Sequence, residues 1–75
     1  MNQLKTMQNE EFNIQTYGKS ELAMLYFPHL SKESALKNLR EELKINPRLH
    51  HLVNAKTHKY WPKQVRMIVE ELGEP

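Results

Sequence analysis

The sequence predicts a small, mainly α-helical domain of four helices with a short two-stranded element. Three observations carry that prediction. Leucines recur at helical spacing in SKESALKNLREELK, residues 31–44, behind a serine able to cap a helix. Val65, Ile68, Val69 and Leu72 make a second apolar stripe, which opens at Pro62 and stops at Gly73. Elsewhere Gly18, Pro28 and Pro47 cut the chain into units too short for anything but brief helices and strands.

Residues 1–16 are rich in Asn, Gln and Glu and show no sustained period, as expected of a flexible N-terminal arm before a domain spanning 17–75. Within that lead-in Phe12, Ile14 and Tyr17 alternate with polar residues, a short strand pattern. After Gly18, KSELAMLYF predicts a first helix. Glu21 stands in its first turn, where the helix dipole favours negative charge, and Leu22, Leu25 and Tyr26 share a face. Pro28 disfavours helical geometry at Phe27 and ends it. Leu30 then precedes the Ser31 cap and can staple against Ala35 or Leu36.

The second helix is expected from Ser31 to about Ile45, with Leu36, Leu39 and Leu43 as its buried stripe. At about 100° per residue, Ser34, Lys37, Asn38 and Glu41 fall on the opposite side. Two short helices joined by a tight turn form a helix-turn-helix unit. Asn46-Pro47 ends that helix and starts a third, in which Leu49, Leu52 and Val53 share a face. Asn54 to Lys59 is expected to be a loop or the tip of a small hairpin, with Lys59, Tyr60 and Trp61 as the returning strand. Pro62 begins the fourth helix.

Length and composition limit what such a chain can do. Seventy-five residues make one domain, which buries only about 60% of the surface of its unfolded chain, so a deep catalytic cavity is hard to build. Cysteine is absent, which removes disulfides and thiolate metal sites. No run approaches the roughly 18 apolar residues of a membrane span, and the first residues lack the apolar core of a signal peptide, so the expected location is the cytoplasm. No glycine-rich phosphate loop or nucleophile elbow is present, and Glu41-Glu42 and Glu70-Glu71 are neighbours that splay apart on helices. The expectation is a protein without catalysis, without a cofactor and without a small-molecule ligand. His29, His50, His51 and His58 lack the spacing of a zinc site, and no metal is expected.

Charge is more telling. The formal net charge is +2, but residues 37–66 carry eight Lys and Arg against Glu41 and Glu42, a balance of +6. That asymmetry predicts a basic face and an anionic partner. The second helix of a helix-turn-helix enters the DNA major groove, and here it would offer Ser34, Lys37, Asn38 and Glu41 to base edges. Lysine can donate to guanine and asparagine can pair bidentately with adenine. Lys32 and Arg40 flank those four and can reach phosphates. In KTHKYWPKQVR, a basic turn leads through aromatics into a helix, as a wing would. Lys56, His58, Lys59 and Lys63 would be backbone contacts there, supplying affinity and salt dependence.

Two other readings fit the same residues. Tyr60 and Trp61 can stack on single-stranded bases, or else Trp61 is core and Tyr60 half-buried. Alternatively the chain is a protein-interaction module or anti-repressor, whose working surface is an apolar patch of Met24, Phe27, Tyr60 and Met67.

Taken together, YGKSELAMLYFPHLSKESALKNLREEL, NPRLHHL and KYWPKQVRMIVEELGEP resemble an uncharacterised family of short bacterial proteins, a domain of unknown function associated with gut-type bacteria and their mobile elements. The matching marks are Tyr17-Gly18, Glu21-Leu22-Ala23 with Tyr26, Asn46-Pro47-Arg48-Leu49, the Pro62 to Val65 helix start and the Leu72-Gly73-Glu74-Pro75 ending. More distantly, the order of YGKSELAMLY, capped helix, basic turn and Tyr60-Trp61-Pro62 is similar to the DNA-binding heads of MerR-type regulators and phage excisionases. That likeness implies a winged-helix-like domain and a double-stranded DNA partner. The chain departs from the pattern at Trp61, where a capping Thr is usual, and in the extra PRLHHLV segment, where the wing would begin.

Overall fold

A computed structural model describes residues 12–54 and 56–75; most of the expected N-terminal arm, residues 1–11, lies outside them. Three α-helices, α1 (Lys19–Tyr26), α2 (Lys32–Ile45) and α3 (Pro62–Leu72), surround one core. A 3₁₀ helix (His50–Asn54) follows α2, and two strands of two residues each, β1 (Tyr17–Gly18) and β2 (Lys59–Tyr60), form an antiparallel pair.

The ladder sets Tyr17 opposite Tyr60 and Gly18 opposite Lys59, and the Lys19 amide extends it by donating to the His58 carbonyl at 2.9 Å. The returning strand therefore does not close a local hairpin over 54–61. Its partner comes from the start of the domain. The alternation expected from Phe12 onward narrows to Tyr17–Gly18. Phe12 instead stacks on Tyr17, with ring centres 5.5 Å apart, and the Tyr17 hydroxyl donates to the Asn13 carbonyl at 3.0 Å. Successive strand residues face opposite ways. Only one of Tyr60 and Trp61 can look inward, and the register with Tyr17 selects Tyr60. Tyr60 is 4% exposed and Trp61 49%, the reverse of a core tryptophan beside a half-buried tyrosine.

Gly18 is the extended residue before α1, and its amide donates to Glu21 Oε1 at 3.0 Å, a contact from the first turn back to the helix start. Leu22 and Ala23 are buried and Tyr26 half-buried, while Leu25, expected on that face, is 43% exposed. A two-turn helix lying on α2 has room to bury one narrow side, and that side is centred on Ala23. Phe27, held out of helical geometry by Pro28, donates to the Ala23 carbonyl and closes the helix.

Ser31 caps α2 as its position predicts: its Oγ accepts from the Ser34 amide at 3.2 Å. The buried stripe is Ala35, Leu39 and Leu43, spaced i, i+4, i+8, and Leu36 is left 37% exposed. The buried side of α2 is therefore turned toward Ala35 and away from Leu36.

The third of the four expected helices is the 3₁₀ segment, so among the described residues the α-helices number three. The Leu49 and His50 amides both donate to the Asn46 carbonyl at 2.9 Å, and the Leu52 amide to the Leu49 carbonyl at 2.8 Å. In a three-residue repeat, residues i and i+3 lie one above the other. Leu49 and Leu52 therefore both reach the core without a full α-turn.

In α3 Val65 and Ile68 are buried, with Met67, Val69 and Leu72 packed against the core beside them. Gly73 stops the helix at φ 87°, a region that disfavours a side chain, and its amide donates to the Val69 carbonyl. Three contacts fasten this end. The Tyr26 hydroxyl donates to the Gly73 carbonyl, and Glu71 accepts from Asn46 Nδ2 at 3.1 Å and Arg48 Nε at 2.9 Å. Among the described residues no helix is long and apolar enough to cross a membrane.

Candidate nucleic-acid interface

Every side chain expected to touch duplex DNA is exposed: Ser34, Lys37, Asn38, Glu41, Lys32 and Arg40 on α2, and Lys56, His58, Lys59 and Lys63 further along the chain. The rotated stripe changes how they are arranged. Taking Leu39 as the inward direction and about 100° per residue, Arg40, Lys44 and Lys37 fall within about 60° of one another on one flank. Glu41, Ser34 and Asn38 occupy the adjoining flank. The Asn38 amide is engaged with its own helix, donating from Nδ2 to the Ser34 carbonyl at 3.0 Å. By the same count Glu33 falls between Arg40 and Lys44, so one edge of α2 carries three cations and one carboxylate and the other is neutral to acidic.

The basic edge borders two depressions that share Leu36 and Arg40. One is a shallow hollow of about 310 Å³ that includes Glu33 and Lys37. The other is a narrower cleft of about 90 Å³ running between Lys19, Arg40 and Tyr60, with Val53 in its wall. Lys19 Nζ lies 5.4 Å from the centre of the Tyr60 ring, within reach of a cation–π attraction. Burial, and then the charge of Arg40, lower the Lys19 pKa. Burial pushes the Tyr60 phenol up, and Arg40 pulls it back in part.

The structure therefore joins Lys37 and Arg40 and adds Lys19 and Lys44, which sequence spacing did not single out. Lys44 was legible as the i+4 neighbour of Arg40. Lys19 was not, because only the ladder and the α1–α2 packing carry it to Arg40. Lys59 stands on the face of β2 away from Tyr60, and Lys63 projects opposite the Val65–Ile68 stripe of α3. The apolar patch of the protein-module reading is largely spent on the core. Tyr60 is buried, and Met24, Phe27 and Met67 pack against it partly covered. Among the described residues the large apolar side chains left exposed are Ile14, Leu25, Leu36, Ile45 and Trp61. Among the described residues no group of His, Asp or Glu could hold a metal ion.

No curated protein and no solved structure matches this chain. A family model does, across residues 13–75, a span that contains the Tyr17-Gly18 opening, the Asn46-Pro47 turn and the Leu72-Gly73-Glu74-Pro75 ending. By that match the chain belongs to the family described as Domain of unknown function (DUF4248).

Proposed function

We propose that this chain is a non-catalytic module that binds double-stranded DNA. In this reading α1, the turn and α2 act as a helix-turn-helix, and α2 lies in the major groove. The likeness to excisionases and MerR-type heads is part of the same proposal, as is a role on mobile elements inside the cell. The observation that carries it is the exposed flank of α2, where Lys37, Arg40 and Lys44 line up with Lys19 beside them. Cations along one helix edge suit the phosphates at a groove wall, and the adjoining Ser34, Asn38 and Glu41 suit base edges. For Asn38 to read adenine, its amide must release the Ser34 carbonyl. Lys56, Lys59 and Lys63 serve as outlying backbone contacts. The two-residue ladder stands in place of a full wing. Tyr60, being buried, is not available for base stacking, which disfavours the single-strand reading.

The test is fluorescence anisotropy with a mixed-sequence duplex over a series of salt concentrations. Each phosphate contact contributes about −0.9 to the slope of log K against log salt. The double variant Lys37→Glu, Lys44→Glu is expected to lower the magnitude of that slope by about two contacts' worth. No binding by the wild type at low salt, or a variant that binds like the wild type, refutes the reading.

A further inference from the structure

Glu33 is a carboxylate set among the cations of the α2 edge proposed to meet an anionic duplex. We infer that it is a base-reading residue, accepting a hydrogen bond from the exocyclic amine of cytosine, with Leu36 beside it against the methyl group of a neighbouring thymine; this rests on the DNA reading above. Glu33, Leu36, Lys37 and Arg40 stand at i, i+3, i+4 and i+7 on α2, and together they line the hollow of about 310 Å³. That volume is the share of about ten liquid waters, room for the edge of a base.

A carboxylate is badly matched to the DNA backbone. Phosphate and carboxylate oxygens both accept, so Glu33 against a phosphate meets like charge and no donor. What the major groove does offer an acceptor is the amine of cytosine or of adenine. Adenine sets its N7 acceptor next to that amine, which opposes a carboxylate that cannot donate. Cytosine presents the amine alone, and the carboxylate therefore selects cytosine. Leu36 is 37% exposed beside it, and the apolar group that the major groove offers to hydrocarbon is the thymine methyl.

The place of Glu33 along the helix agrees. It lies in the first turn of α2, and a recognition helix brings its N-terminal residues to the base edges. At about 1.5 Å per residue, Arg40 lies about 10 Å and Lys44 about 16 Å further along the same edge. The two cations thus reach a groove wall while the carboxylate stands among the bases.

The experiment selects sites from a randomised duplex pool with wild type, Glu33→Gln and Leu36→Ala, then measures the selected duplexes by anisotropy. Both side chains are exposed, so the variants keep the fold, which circular dichroism checks. The wild-type site is expected to hold a cytosine with a thymine beside it, and replacing that cytosine is expected to weaken binding about tenfold. Glutamine keeps the length of glutamate but pairs bidentately with adenine. Glu33→Gln is therefore expected to select adenine in place of the cytosine, and to bind unrelated duplex at least as tightly as the wild type, because a negative charge is gone. Leu36→Ala is expected to lose the thymine and keep the cytosine. Should Glu33→Gln not fold, Glu33→Asp replaces it: the charge stays, the carboxylate is withdrawn by one methylene, and the cytosine preference is expected to fall with the salt slope unchanged. If the wild type binds duplex without base preference, or if the Glu33 variant selects the wild-type site, the assignment is overturned; the DNA reading stands, and Glu33 serves only the dipole of its helix. If the wild type binds no duplex, both fall.

Discussion

Replacing Asn46 with alanine tests how the three helices are tied together. Asn46 ends α2, and its side chain works in two directions. Its Oδ1 accepts from the Arg48 amide at 2.8 Å, ordering the turn into the 3₁₀ segment, and its Nδ2 donates to Glu71 Oε1 at 3.1 Å, reaching the last turn of α3. The first contact is of the capping type, worth about 1 kcal/mol when an Asn is cut to Ala. The second is a hydrogen bond to a carboxylate. In a buried site it would contribute about 1.5–3 kcal/mol, but this one is exposed, which brings it to about 1 kcal/mol. Asn46→Ala is therefore expected to cost about 2 kcal/mol. A chain this long has roughly 4–11 kcal/mol of stability in all. In a domain of this size the loss lowers the thermal midpoint by about 8–16 °C. The assay is thermal and urea unfolding followed by circular dichroism. Repeating it in a Glu71→Ala background, which removes the acceptor, separates the two contacts, since only the second depends on Glu71. A loss under about 0.5 kcal/mol for Asn46→Ala would refute the view that this side chain joins α2 to α3.

Two further perturbations probe the helix ends. Trp61 precedes Pro62 and its amide donates to Gln64 Oε1 at 2.8 Å, but it has no side-chain oxygen to return a cap to α3. Trp61→Thr is expected to stabilise the domain by about 1 kcal/mol in urea unfolding, and a loss of stability instead would show that the half-exposed indole packs more than its exposure suggests. Tyr26 gives a pH dependence. Its phenol is pushed up to about 12, first by burial and then by Glu74. An unfolded tyrosine titrates near 10. Below that pH both states are protonated and the contribution of Tyr26 is intact; from about 10 to 12 the unfolded chain releases its proton while the folded one holds it, so stability falls. Urea midpoints across that window should decline in the wild type and decline less in Tyr26→Phe, and parallel declines would refute the assignment.

Much of this fold is legible from local chemistry. The Ser31 cap, the stop at Pro28 and the reversal at Gly73 depend on one residue and its near neighbours, and each lies where spacing places it. What spacing leaves open is decided by contacts between elements. Ala35 and Leu36 both extend a Leu39–Leu43 stripe, and tertiary packing buries Ala35. PRLHHLVNA satisfies an α-helical pattern and a 3₁₀ pattern alike, because Leu49 and Leu52 are three apart in either. Tyr60 pairs with Tyr17 rather than with a nearby strand, which no local turn signal announces. The candidate site divides along the same line. Lys37 and Arg40 follow from the helix, whereas Lys19 joins them only through tertiary packing.

The pairing of Gly18 with Lys59 has a consequence for how the molecule assembles. The two positions are 41 apart (59 minus 18), and the ladder they close is two residues long on each side. Bringing together the ends of a free segment of that length costs about 3 kcal/mol of chain entropy, more than so short a ladder returns by itself. The strands therefore cannot start the folding reaction. They latch once α1 and α2 have docked and shortened the path between them, and the domain closes like a clasp fastened after the band is already wrapped.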